Sequence, residues 1–132
     1  NANYRSQATN LSYELADALR GNRNRLDDYS TALSDWTATC PDAVEEEAPD
    51  DCVGTDIDTV DCDVARWTDR LCRELPNGRG RIVGGFAAIP GTPAIGGAFD
   101  VQICWADDFS EYEASDDCTG EGETVFSRET SL

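Results

Sequence analysis

The sequence predicts an α+β fold, two helices followed by an antiparallel sheet. Two segments repeat apolar residues at steps of three and four, the period of a helix with one buried face. A third alternates apolar and polar residues strictly, the period of a half-buried strand. The two kinds occur in blocks, helices first, with tight turns between the strands, and that order favours an antiparallel sheet over a parallel one. The chain has 132 residues, the size of one domain spanning 1–132, and its hydrophobic fraction of 39% is enough to fill a core.

The first helix is read over residues 4–20, "YRSQATNLSYELADALR". Tyr4, Ala8, Leu11, Leu15, Ala18 and Leu19 form one apolar stripe, expected to lie on the sheet. Gly21 and Asn22 mark its end, and Arg20 in the last turn complements the helix dipole. No N-cap precedes Tyr4, so the helix is expected to begin further upstream. Residues 22–55 read as a loop, with "CPDAVEEEAPDDCVG" bracketed by Cys40 and Cys52. The second helix is read over 56–75, where Ile57, Val60, Val64, Trp67, Leu71 and Leu75 keep helical spacing. Thr55 or Asp56 is expected to cap it, and Pro76 to stop it.

The sheet is expected over about 81–128. "PNGRG" is a turn, "RIVGGFAAI" a strand, and "PGTPAIGG" a second turn cluster. In "AFDVQICWA" Phe99, Val101, Ile103 and Trp105 alternate with Asp100, Gln102, Cys104 and Ala106, and this is the best strand. An acidic turn over 107–117 leads to a last strand in "ETVFSRE".

Arg81-Ile82-Val83-Gly84-Gly85 also matches the activation site of a trypsin-like protease. That chemistry needs a histidine base, or lysine in its variants, and the chain contains neither. Only residues 82–132 follow Arg81, too few for two β-barrels. "GRGRIVGG" fits neither a dinucleotide fingerprint nor a phosphate loop. No catalytic function and no cofactor are expected. Glu111 and Glu113 are not set apart from the other acids.

The formal charge is −17, from 27 acidic residues against 10 basic ones, all arginine. Such a surface repels nucleic-acid phosphates and anionic headgroups, so no nucleic-acid partner is expected. Asp50, Asp51, Asp56, Asp58, Asp61 and Asp63 offer oxygen atoms for calcium, with Asp56, Asp58 and Asp61 the candidates. Their spacing is not that of an EF-hand and its loop glycine is missing, so a solvated acidic face is the favoured reading. Trp36, Trp67 and Trp105 could form a ligand platform, but Trp67 and Trp105 fall on core-facing positions. Asn10-Leu11-Ser12 is a glycosylation sequon inside a helix and is discounted.

Six cysteines, Cys40, Cys52, Cys62, Cys72, Cys104 and Cys118, suggest disulfides and an oxidising compartment. Without histidine or a Cys-x-x-Cys pair, a zinc site is not indicated. Cys62 and Cys72 lie ten residues apart on one helix, about 15 Å along its axis. A disulfide needs Cα atoms roughly 4.4–6.8 Å apart, so these two should not pair. Cys40–Cys52 and Cys104–Cys118 are both attractive local bridges, but together they would leave Cys62 with Cys72. At least one helix cysteine is therefore expected to reach the loop or the sheet.

Three segments resemble the minor pilins of type IV pili, in particular the PilV-type pilus modification proteins. In "YRSQATNLSYELADALRGNR" the matching positions are Ser6, Gln7, Ala8, Tyr13, Ala16, Asp17 and Arg20. "DVARWTDRLCRELPNGRGRI" is similar to the family's tryptophan helix and Leu-Pro-Gly-Gly-x-Gly turn, and "FDVQICWADD" to its valine-rich strand ending in Trp and acids. The three cover about half of the chain; residues 26–55 and 108–132 are not covered.

The resemblance implies a type IV pilin-like fold. An N-terminal helix packs on an antiparallel sheet through Tyr4, Ala8, Leu11, Leu15 and Leu19, with Trp67 and Trp105 in the same packing. It implies a leader and an apolar membrane helix upstream of residue 1. It further implies residence in the inner membrane and periplasm, then in the extracellular pilus. The partners would be other minor pilins, the major pilin and a tip adhesin, with loops 26–55 and 108–126 supplying variable contacts. A pseudopilin of a type II secretion system is the near neighbour of this reading, and a free secreted, disulfide-stabilised acidic binding domain is the reading from another class.

Overall fold

The computed structural model describes residues 2–36, 52, 54–55, 57–84, 86–87, 96–107, 118–120 and 122–131. It is α+β. The helices are α1 (Ala2–Gly21), α2 (Leu26–Ala32) and α3 (Thr59–Glu74), with a short 3₁₀ turn at Arg23–Arg25. The strands are β1 (Arg79–Val83), β2 (Phe86–Ala87), β3 (Gly96–Ala106) and β4 (Glu123–Ser131), all paired antiparallel.

β3 is the middle of the sheet. β4 runs along one side of it, with Ala98 opposite Ser131 and Ala106 opposite Glu123 in one unbroken register. β1 and β2 share a register against β3, Val83 opposite Asp100 and Phe86 opposite Gly97. They are one strand interrupted after Val83, where Gly84 takes a φ of 112°. The expected strands at 81–89, 98–106 and 123–129 thus appear at 79–87, 96–106 and 123–131, with a break in the first.

The helices cover one face of this sheet. Ala8, Leu11, Leu15 and Leu19 of α1 and Val60, Trp67, Leu71 and Leu75 of the α3 region are buried in one cluster. With them lie Ile82, Phe99, Val101, Ile103 and Trp105 of the sheet. Alternation along β3 places these residues on a single side, as the pleat requires. Tyr4, Ala18, Val64 and Phe126 pack against the edge of the cluster.

α1 ends where Gly21 and Asn22 predict. The Asn22 backbone N–H donates to the Leu19 carbonyl (3.1 Å), and its side-chain amide donates to the Ala18 carbonyl (3.0 Å). α3 begins three residues later than expected. Its cap is Asp58, not Thr55 or Asp56: the Asp58 carboxylate accepts the Asp61 N–H at 3.1 Å. Ile57, taken as the first member of the helical stripe, therefore lies outside the helix and is 48% exposed.

The reading of 22–55 as loop misses the 3₁₀ turn and α2. Leu26, Tyr29 and Leu33 are spaced by three and four and are buried in the core, while Asp27 and Asp28 suit the first turn of α2. After α2 the chain closes on the sheet edge, where the Ile82 N–H donates to the Leu33 carbonyl at 2.8 Å. This covers part of the outer edge of β1.

Candidate functional site

The surface that α1 presents to the sheet is built by the stripe read from the sequence. Ala8, Leu11, Leu15 and Leu19 are fully buried, and Tyr4 is half-buried at the upstream end. Trp67 and Trp105 are buried in the same cluster. Trp67 also ties α3 to α1, because its indole N–H donates to the Leu11 carbonyl at 2.8 Å. That bond gives the buried Nε1–H a partner and sets how deep the ring sits.

The turn after α3 makes room for this tryptophan. Asn77 adopts a φ of 50°, and the Gly78 N–H donates to the Leu75 carbonyl at 3.1 Å. A Cβ at Gly78 would lie 2.1 Å from the Leu71 carbonyl oxygen, and one at Gly80 would lie 2.4 Å from Cη2 of Trp67. The stretch that imitates a protease activation site is a turn and an edge strand that pass directly beneath α3.

Between α1 and α3 an open cleft of about 210 Å³ has Leu15, Ala18 and Trp67 as its apolar floor. Its rim is charged, with Glu14, Asp63, Arg66 and Arg70. Arg70 reaches across to Glu14 and also pairs with Glu74 at 2.8 Å. These exposed pairs fix side-chain positions more than they stabilise.

Of the acids considered for calcium, Asp58 and Asp63 have other partners. Asp58 spends one oxygen on the Asp61 N–H and the other on Arg25, at 3.0 Å. The Asp61 N–H, then Arg25, holds the Asp58 carboxyl below its usual range. Asp28, then Asp58, raises the Arg25 guanidinium. Asp63 accepts from the Tyr29 hydroxyl at 2.7 Å, and that hydroxyl accepts from the Asn22 amide at 3.1 Å. Burial, then the bond to Asp63, pushes the Tyr29 phenol well above its usual range. Asp50, Asp51 and Asp56 lie outside the described residues, as do Glu111 and Glu113.

Of the two described disulfides, one ties α3 to Cys52 and the other ties β3 to Cys118. Cys52 pairs with Cys62, Cα atoms 4.9 Å apart, and Cys104 with Cys118, 6.3 Å apart. The local bridge Cys40–Cys52 is therefore excluded, and Cys62 is a helix cysteine that reaches out of α3, to Cys52. Cys72 is disulfide-bonded as well; Cys40 lies outside the described residues.

The outer face of the sheet holds a buried polar centre that sequence reasoning missed. Arg79 on β1 and Glu123 on β4 form an ion pair that crosses over Cys104 of β3, and both side chains are almost wholly buried. The Gly120 N–H donates to Glu123 Oε1 at 3.2 Å, and Cys104 Sγ lies 3.3 Å from Glu123 Oε2. The one available signal was that Arg79, Cys104 and Glu123 fall on the same outward phase of the strands. Elsewhere on this face the Arg81 guanidinium lies over the Trp36 ring, 4.4 Å from its centroid, and its Nε–H donates to Gln102 Oε1 at 2.7 Å. On the helix side Arg128 stacks on Tyr13 at 3.7 Å.

Ser12 is buried and spends its hydroxyl on the Thr9 carbonyl at 2.7 Å. Among the described residues no helix is long and apolar enough to cross a membrane. No family model, curated protein or solved structure matches the chain.

Proposed function

We propose that the chain is the globular part of a minor pilin of a type IV pilus, close to the pilus modification type. The observation that carries this reading is α1: an N-terminal helix whose unbroken apolar stripe lies on an antiparallel sheet, in a chain with three pilin-like motifs in order. The role is structural and non-catalytic. The subunit takes part in priming pilus assembly and in a tip complex that displays an adhesin, held by other minor pilins and the major pilin. Before assembly an apolar helix upstream of residue 1 holds it in the inner membrane. Afterwards it is in the extracellular pilus. The two described disulfides suit that oxidising route.

The test is the coding sequence upstream of Asn1. A prepilin cleavage site followed by an apolar helix continuous with Tyr4 is the expected result. A cleaved secretory signal ending near Asn1 would overturn the pilin reading in favour of a free secreted binding domain. A pilin-type leader in an operon of secretion-system genes would place the chain among pseudopilins instead.

A further inference from the structure

The turn that carries the chain from α3 into β1 contains a reactive dipeptide that the fold itself requires. Asn77 is the one asparagine in the chain that is followed by glycine. In such a pair no Cβ shields the glycine nitrogen, which can attack the asparagine side chain. Neither residue is free to change. Asn77 holds a φ of 50°, a region that asparagine enters more readily than most residues other than glycine. A Cβ at Gly78 would stand 2.1 Å from the Leu71 carbonyl oxygen, which already accepts the Leu75 N–H at 3.0 Å. That carbonyl cannot give way without breaking the bond that closes α3. We propose that Asn77 is a spontaneous deamidation site that the folded turn holds in check and that opening of the turn releases. The proposal does not rest on the pilin reading.

The restraint acts on the nitrogen that must attack. The Gly78 N–H donates to the Leu75 carbonyl at 3.1 Å, and Gly78 is buried. Its nitrogen can bond to Asn77 Cγ only by giving up that hydrogen bond. The turn is anchored on both sides: the Ala106 N–H donates to the Pro76 carbonyl at 2.8 Å, and Arg79 pairs with Cys104 in the sheet. Gly80 passes so close beneath Trp67 that the segment has no room to shift as a whole. Freeing the Gly78 N–H therefore takes the junction of α3 and β1 apart, and only the opened fraction of molecules reacts.

In the opened turn the Gly78 nitrogen bonds to Asn77 Cγ, the Cγ–Nδ2 bond breaks, and the Gly78 amide proton leaves with Nδ2 as ammonia. The cyclic imide then takes up one water. Cleavage of its new N–Cγ bond gives aspartate at position 77; cleavage of the original peptide bond gives isoaspartate. Aspartate places a negative charge just past the C-terminal end of α3, the unfavourable end of the helix dipole. Isoaspartate also lengthens the main chain by one carbon, next to a glycine where even a Cβ has no room. Both products weaken the closed turn, isoaspartate the more.

The test uses the full chain with its disulfides intact, incubated at mildly alkaline pH with and without guanidinium chloride. Deamidation and isoaspartate are read at each asparagine by peptide mapping. Asn77 should be the fastest asparagine in the unfolded chain, and should react at least about tenfold more slowly in the folded one. Gly80→Ala leaves the Asn-Gly pair intact but crowds Trp67. It should speed the reaction of the folded chain by about fivefold or more, with circular dichroism confirming the fold. Equal rates at Asn77 in the folded and unfolded wild-type chain would overturn the proposal. So would no reaction at Asn77 in the unfolded chain, or a folded Gly80→Ala chain that reacts no faster than wild type. Should Gly80→Ala fail to fold, the two wild-type rates decide alone.

Discussion

A Cβ at Gly80 would stand 2.4 Å from the Trp67 ring, and Trp67 is held in place by its bond to the Leu11 carbonyl. The ring cannot retreat without losing that partner. Gly80→Ala is therefore expected to cost about 1–3 kcal/mol, the range for overpacking a filled core, measured by urea unfolding. A cost near zero would mean that the β1–α3 contact is loose. Tyr29 is the second residue whose role is set by contacts. Tyr29→Phe removes the hydroxyl shared by Asp63 and Asn22 and should cost about 1–3 kcal/mol. Its folded phenol titrates above the unfolded one, so the stability it contributes is complete below about pH 10 and is lost as pH rises towards the folded value. In alkaline melts, Tyr29→Phe should flatten that loss. Glu123→Ala removes the carboxylate that pairs with the buried Arg79 and should cost about 3–5 kcal/mol, measured by urea unfolding. Glycine-rich turn chemistry at 77–80 was legible in the sequence. The Arg79–Glu123 pair was not, because it joins residues 44 apart and nothing local distinguishes these two charges from the rest.

Among the elements, α1, α3 and β3 were legible because each keeps one period long enough to specify a buried face. α2 was missed for the opposite reason: seven residues hold only two buried positions, Leu26 and Tyr29, among polar neighbours. Its helix is stabilised from outside, by Leu33 meeting β1 and Tyr29 meeting α3. The start of α3 was misplaced because several acids compete for the cap, and only tertiary contact with Arg25 favours Asp58. The folded Asp58 carboxyl titrates below its unfolded value. The stability it contributes is thus present above about pH 4 and is lost as pH falls through the folded value. Asp58→Asn should lessen that acid loss in thermal melts. An unchanged acid limb would show that the cap and the Arg25 pair contribute nothing to folding. Seating of α1 is the element on which the functional reading turns. Leu11→Ala or Leu15→Ala should cost about 2–5 kcal/mol, since each leaves a cavity between helix and sheet.

For the whole molecule, charge is the dominant quantity. At −17 the folded chain repels itself, while arginines such as Arg25, Arg70 and Arg79 offset that only locally. Raising sodium chloride from roughly 0.01 M to 0.5 M should raise the thermal midpoint by screening this repulsion. A fall would mean that the local pairs outweigh it. The α+β architecture was legible in block order and periodicity. The interruption of the first strand, the disulfide that joins Cys52 to Cys62 and the buried outer centre were not, because each depends on which distant segments meet. The pilin reading joins the sheet-seated helix to the sequence motifs, and its most direct measurement is made on the organism that produces the chain. Pili are sheared from its surface, purified and probed for this protein, beside a strain lacking the gene. The chain should be found in the purified pili at low stoichiometry, and loss of the gene should sharply reduce surface pili. Its presence only as free secreted protein, with piliation unchanged in the deletion strain, would contradict the proposal.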